Sequence, residues 1–360
     1  MLSSTAAKHA FLLLFLICFI NMPQTGAMAN HTVEEAYKVL GISPNPDGSL
    51  AREIRIPMVN ATPYIVDPTK PTPVALSKDI SAHHLYPFND KACMRLFRPL
   101  KPPPMNTKIP LIIYLHGGDF VLFSATTLVF HNFCNDIASQ IPAIVVSVEY
   151  RLAPEHRLPA AYDDAIAAVF WAKHQALGTY GRDPWLNKYA DFTRVFLLGS
   201  ASGGNIAYHA ALRALDFDLR PIQIKGLIMN QPYFGGIKRT KSELRLIEDP
   251  YVPLYVNDVL WTLALPLSAN RDIEFSNPLS SIWSYNNVFG KIKRLPKCMV
   301  KGNSGDPLVD RGEMLVKMLE KCGVEVIHVV VEGGYHGIEL NNATAAQELY
   351  GYIKGFIEST

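Results

Sequence analysis

What the 360-residue chain lacks narrows its function first. It has no run of five or more like charges and a formal net charge of only +2, so it offers no basic stripe for nucleic acid to neutralise. Its five cysteines are widely spaced and give neither a zinc-site pattern nor a C-x-x-C redox motif. No metal and no organic cofactor is implied. Internal repeats and low-complexity tracts are also missing, which excludes solenoids and compositionally biased chains. The apolar run Ala10–Ile20 falls well short of the roughly 20 helical residues that span a bilayer. What remains, with 49% hydrophobic residues, is a globular chain long enough to bury a sizeable core.

The short N-terminal run reads as an address. Lys8 and His9 precede it, and Ala27, Met28 and Ala29 follow as a small-x-small cleavage site, the layout of a secretory signal peptide over residues 1–29. Cleavage makes Asn30 the new first residue and leaves residues 30–360 as one domain. The expected location is the secretory pathway: extracellular, apoplastic or vacuolar, with no membrane anchor once the signal is removed. Sequons at Asn30, Asn60 and Asn342 are candidate glycosylation sites on that route. Cys18 leaves with the signal. Cys93, Cys134, Cys298 and Cys322 either form one or two disulfides or stay as buried thiols.

Val195–Asn205 reads VFLLGSASGGN. Four apolar residues enter a glycine-rich turn that opens a helix, the strand–turn–helix of a nucleophile elbow, whose G-x-S-x-G serine stands above a sheet. Here Gly199, Ser200, Ala201, Ser202 and Gly203 put alanine at the attacking position, where there is no lone pair to form an acyl-enzyme. Upstream, the strand Leu111–Leu115 runs into His116, Gly117, Gly118, Asp119 and Phe120. The amides of Gly117 and Gly118, with that of Ser202, are expected to form an oxyanion hole. Ala143–Glu149 reads as a second buried strand and is followed by a helix that starts near Pro159. Thr32–Leu40 is amphipathic, Asn45–Gly48 is a turn, and Arg52–Pro57 and Ala92–Pro99 alternate like strands around a proline- and threonine-rich loop.

The HGGDF stretch, the SVEYRLAPEHRLPAAYDDA stretch and the elbow, with QPYFGG from Gln231 and the segment Trp261–Pro278, resemble the plant carboxylesterase family, relatives of hormone-sensitive lipase. The likeness runs from about Asn45 to the C-terminus. It implies an α/β fold of the α/β-hydrolase type: a mostly parallel central sheet flanked by helices, with a helical cap near residues 249–266. It also places the acid at Asp306, after the strand Cys298–Lys301, and the base at His336, after the strand Glu325–Val331, in the chain order this fold uses. The plainer readings are a helix N-cap for Asp306, which can do both jobs, and a surface loop histidine for His336, and neither explains why the two fall in the expected order. In the cap, Tyr251, Tyr255, Leu260 and Trp261 are expected to line an apolar small-molecule pocket, with Tyr335 a further candidate beside the histidine.

Two departures from the family pattern set the functional expectations. Ala201 leaves His336 and Asp306 without a third member, and a slip of the elbow to Ser202 is disfavoured because the strained turn exposes one residue. Asp119 stands where relatives usually have glycine. Its carboxylate either draws a cationic substrate or turns away to bond the backbone. Held by Asp306, His336 is expected to stay a neutral base near pH 7, which suits elimination, isomerisation or cyclisation of a small apolar metabolite. The resemblance supports this reading, because the family includes dehydratases and alkaloid cyclases. Two other readings stand beside it: a carboxylesterase inactivated by a serine-to-alanine change, and a small-molecule receptor of the gibberellin-receptor type.

Overall fold

In the computed structural model the described residues are 31–53, 55–64, 73–81, 93–101, 103–179, 181–282 and 286–360. The signal peptide and Asn30 lie outside them. Ten described strands run in chain order: β1 (Ile42–Pro44), β2 (Leu50–Arg52), β3 (Ala75–Ser81), β4 (Cys93–Pro99), β5 (Ile109–Leu115), β6 (Ile144–Val148), β7 (Ala190–Ser200), β8 (Ile224–Asn230), β9 (Lys297–Asn303) and β10 (Val326–Val331). The last eight form one sheet in the order β10-β9-β8-β7-β5-β6-β4-β3. Pairing is parallel from β6 through β5 to β10, and antiparallel for β6 with β4 and β4 with β3.

The central strands are apolar on both faces, as strands covered by helices on both sides must be. With a side-chain period of two, Leu111, Ile113 and Leu115 of β5 join Val195 and Leu197 of β7 on one face. Ile112 and Tyr114 join Phe196 and Leu198 on the other. Helices Ala160–Leu177, Ser202–Ala214 and Val309–Lys321 cover the first face, and Leu128–Gln140 and Ala343–Glu358 cover the second. Each fully buried aliphatic or aromatic side chain in these layers contributes about 1.5–3 kcal/mol. No described helix is long and apolar enough to cross a membrane.

The N-terminal arm and the cap lie together over the first face. Helix Val33–Leu40 begins with a capping box between Thr32 and Glu35 and packs on the cap helix Leu254–Ala264. His31 stacks on Tyr255 with ring centroids 3.9 Å apart and reaches Glu248 at 3.0 Å. Arg157 donates to the carbonyls of Thr262 and Leu265 at 2.7 and 2.6 Å, tying the cap to the main body.

Two expectations about the first strands need correction. Beyond Arg52 the described residues Glu53 and Arg55–Pro57 are not strand, and β2 only closes a short hairpin with β1 across the Asn45–Gly48 turn. The Arg52 guanidinium then draws the chain toward Glu155 and the carbonyls of Val121 and Ala153, away from any partner strand. The stretch read as loop contains the edge strand β3, paired residue by residue with β4. Of the cysteines, Cys134, Cys298 and Cys322 are free and buried, which favours the thiol reading for these three. Asn60 and Asn342 are exposed, and the Asn342 side chain caps the last helix by accepting from the Ala345 amide at 3.0 Å.

Candidate active site

The site collects at the carboxyl ends of β5, β7, β8 and β9 and just beyond β10. Ala201 joins β7 to its helix with φ 50° and ψ −120°, a left-handed conformation that costs a non-glycine residue of order 1–3 kcal/mol. Four backbone hydrogen bonds hold it there, one of them from the Asn205 amide at 3.3 Å. Its N–H donates to the Asn230 carbonyl at 3.0 Å, and its carbonyl accepts from Gly204 and Tyr233 at 2.9 and 3.0 Å. The flanking glycines are there for space: a Cβ on Gly203 would lie 1.9 Å from the Leu115 carbonyl oxygen, and one on Gly199 1.9 Å from that of Gly203. Asn205, fully buried, braces the helix by donating to Tyr233 and Phe275 carbonyls while accepting from the Tyr162 hydroxyl.

Gly117 packs directly against this turn, its Cβ direction 3.3 Å from the Ser200 carbonyl oxygen and 3.4 Å from the Ala201 Cβ. Among the described residues none of the amides of Gly117, Gly118 and Ser202 meets an acceptor. Buried His116 braces the loop. It stacks on Tyr150 at 4.2 Å, bonds the Gly117 carbonyl at 2.7 Å through Nδ1, and burial pushes its pKa down to about 4, so it is neutral.

Asp306 and His336 come together as expected, Nδ1 of the imidazole lying 2.7 Å from Oδ2 of the carboxylate. Asp306 Oδ1 accepts from the Leu308 amide at 2.8 Å, so the residue also caps the turn that enters its helix. The expected charge of the histidine needs correction. Burial disfavours the imidazolium, but the charge and hydrogen bond of Asp306, reinforced by Asp119 and Glu339, outweigh it and raise the pKa to about 9. His336 therefore favours the imidazolium at pH 7.

Sequence reasoning missed the residues that hold the histidine loop. Glu339, buried three residues beyond His336, accepts from Asn230 Nδ2 at 2.6 Å and from Gln231 Nε2 at 2.9 Å. Gln231 Oε1 in turn accepts from the Gly337 amide at 2.7 Å. The end of β8 thus fixes the loop, and the one local signal was a polar Asn-Gln pair closing an apolar strand.

Two cavities meet at this point. An inner one of about 100 Å³ is walled by Gly117, Gly118, Ala201, Gln231 and His336. An outer one of about 280 Å³ lies between the N-terminal arm and the cap. Asp119, Phe123, Tyr251 and Val252 line both and form the neck. Tyr251 and Leu260 are wall residues as expected. Trp261 is not: it is 1% exposed, stacks on Tyr233 at 4.8 Å and belongs to the cap core. Tyr255 lines neither cavity, and Tyr335 acts indirectly, stacking on Tyr251 with centroids 4.0 Å apart. Ser202 has its side chain fully buried and on neither wall, so it does not take over the position of Ala201. Ser200 does reach the inner wall, where its Oγ receives the Tyr114 hydroxyl at 3.5 Å. Asp119, at φ 54°, makes no side-chain hydrogen bond among the described residues, which settles against its bonding the backbone; burial and the nearby Asp306 raise its pKa to about 6 against the opposing effect of His336.

An elbow above a mostly parallel sheet, free amides beside it and a His–Asp pair across a small cavity define an α/β-hydrolase site. Comparison with known proteins agrees: residues 112–340 match the family described as the alpha/beta hydrolase fold. The chain is 48% identical over 287 residues to 3-O-acetylpapaveroxine carboxylesterase CXE2 of Papaver somniferum, covering 78% of this chain and 90% of that protein. It is 41% identical over 328 residues to probable carboxylesterase 8 of Arabidopsis thaliana, covering 90% and 94%. A hyperthermophilic esterase from the archaeon Pyrobaculum calidifontis superposes with a TM-score of 0.62 at 26% identity, over 79% of this chain and 85% of that one. The chain belongs to the α/β-hydrolase family, among the plant carboxylesterases.

Proposed function

We propose that the protein is a carboxylesterase-type binder of small, largely apolar esters in which serine-based acyl transfer is interrupted at Ala201. The observation that carries this reading is the wall of the inner cavity, where Ala201, the Gly117 and Gly118 backbone and the Asp306-paired His336 face one space. Compared with an ester-cleaving set, this wall lacks the attacking hydroxyl and adds the Asp119 carboxylate. In this reading the ester carbonyl lies against the free amides, and the alcohol portion extends through the neck into the outer cavity. The similarity to enzymes named carboxylesterases supports it.

The test is Ala201→Ser measured on p-nitrophenyl acetate beside the unaltered protein. A restored site turns over at an ordinary enzymatic rate of roughly 1 per second or faster, while the alanine form stays near background. A serine variant as inert as the alanine form overturns the reading.

A second reading, proton-transfer catalysis by elimination, isomerisation or cyclisation, is favoured by the retention of the His336–Asp306 pair. Because His336 is cationic at pH 7, it would act first as a general acid rather than as the base expected from sequence. Conversion of a metabolite by the unaltered protein, at unchanged composition or with loss of a small molecule, distinguishes it by mass spectrometry. Entry into the secretory route, with cleavage before Asn30, completes the proposal. The N-terminal sequence and glycan occupancy of Asn60 and Asn342 in the secreted protein test it.

A further inference from the structure

Asp119 is the residue of the site that ester binding leaves unexplained. Carbonyl recognition beside amide donors gains nothing from a carboxylate, which repels the negative charge an ester oxygen gathers. Yet Asp119 stands at the neck shared by the two cavities, half-buried, on left-handed backbone, with no hydrogen bond to its side chain among the described residues. A carboxylate kept from bulk water and left without a donor is an unsatisfied site for a cation.

The surroundings favour the same occupant. Phe123 and Tyr251 share the neck with Asp119, and aromatic faces attract ammonium groups by about 0.5–2 kcal/mol. Beyond them the outer cavity is walled mainly by aliphatic side chains, including Val39, Leu40, Ile56 and Val256. Its two arginines do not oppose a cation with free charge, since Arg52 is held by Glu155 at 2.6 Å and Arg55 by Glu53 at 2.9 Å. On the inner wall the carboxylates of Asp119 and Glu339 stand with one cation, His336, which Asp306 already pairs at 2.7 Å.

Resting on the ester-binding reading above, we propose that the neck at Asp119 binds the ammonium group of a tertiary or quaternary amine, so that the ligand class is an amine ester with an apolar body. The cation sits between the Asp119 carboxylate and the rings of Phe123 and Tyr251. The apolar body fills the outer cavity, and the ester carbonyl reaches the compartment of Ala201. Such a ligand also removes one of the charges that hold the proton on His336, so its binding and the deprotonation of His336 favour each other.

The test uses acetylcholine and its neutral carbon isostere, 3,3-dimethylbutyl acetate, which differ by one charged atom. Binding of each to the unaltered full chain is measured by calorimetry at pH 7.5. The expected result is at least a ten-fold preference for the cation, lost in Asp119→Asn, which keeps the shape and suits left-handed backbone. Asp119→Gly, which fits φ 54° without strain, supplies a second variant with the same expected loss. Equal affinities in the unaltered protein, no measurable binding of either probe, or a preference that survives both substitutions overturns the proposal. The ester-binding reading fails separately, by an inert Ala201→Ser variant on a neutral aryl acetate.

Discussion

Replacing Asp306 by asparagine is the most direct probe of the site's electrostatics. In the folded chain His336 has its pKa raised from 6.5 to about 9, with burial opposing the shift and Asp306 supplying the largest part of it. At roughly 1.4 kcal/mol for each tenfold change in proton affinity, the imidazolium is favoured by about 3 kcal/mol. A group whose folded pKa lies above its unfolded value stabilises the fold fully below the unfolded pKa. That contribution fades as pH rises through the folded one. The window is therefore pH 6.5 to about 9, with stability falling toward the alkaline side.

Asparagine keeps the shape and the acceptor oxygen that receives the Leu308 amide, but removes the charge facing Nδ1. Burial then dominates, and the pKa of His336 is expected to fall to or below 6.5. The Cε1–H resonance of His336, assigned with His336→Gln, reports both midpoints in an NMR titration of the full chain. Denaturant unfolding should show Asp306→Asn less stable by about 3 kcal/mol at pH 6, with the deficit shrinking toward pH 10. A midpoint at or below 6.5 in the unaltered protein, or a deficit independent of pH, would refute the reasoning. One consequence reaches the chemistry: any step using His336 as a base should accelerate about tenfold per pH unit between 7 and 9.

Two further substitutions test the elbow. In Gly203→Ala the new Cβ would meet the Leu115 carbonyl oxygen at 1.9 Å and that of His116 at 2.7 Å, both rigid backbone atoms, so a loss of at least about 3 kcal/mol is expected in denaturant unfolding. In Ala201→Gly the left-handed backbone is relieved of its Cβ. Strain relief of about 1–3 kcal/mol exceeds the roughly 1 kcal/mol of extra chain entropy, so unfolding should show a net gain near 1 kcal/mol; a loss would mean that the turn stores no strain.

The elbow was legible because its parts are local: an apolar strand, glycines at 199 and 203, and a helix opening at Ser202 leave little freedom in that turn. The Gly117–Gly118 loop was legible for a related reason, since it follows the carboxyl end of a buried strand, while the pairing of Asp306 with His336 was legible only through the resemblance to the plant carboxylesterases. Long-range features left no such trace. Glu339 meets Asn230 and Gln231 across more than a hundred residues, and its sequence neighbourhood does not distinguish a buried anchor from a surface acid. Trp261 reads as a pocket wall by residue type alone. Its stacking on Tyr233 depends on how the cap settles over Phe120 and the β8 turn. The charge of His336 escaped because the balance between burial of the imidazole and the opposing effect of Asp306, with smaller additions from Asp119 and Glu339, is set by the folded arrangement.

In the proposed reading, the alanine at position 201 and the carboxylate at position 119 make sense together. Ala201 keeps a backbone conformation that rewards only a residue with something to present, and what holds it there is the closure of the sheet, not a catalytic side chain. Its amide and carbonyl are bonded to Asn230, Gly204 and Tyr233, so losing a hydroxyl at this position leaves the free amides and the His336–Asp306 pair in place. If acyl transfer is interrupted at Ala201 as proposed, no tetrahedral oxyanion forms beside Gly117 and Gly118. A carboxylate at residue 119 then carries none of the transition-state cost it would impose on a hydrolysing site. Freed from that cost, Asp119 acts on the bound ligand alone, where a negative charge at the neck of an apolar cavity selects for a positive one.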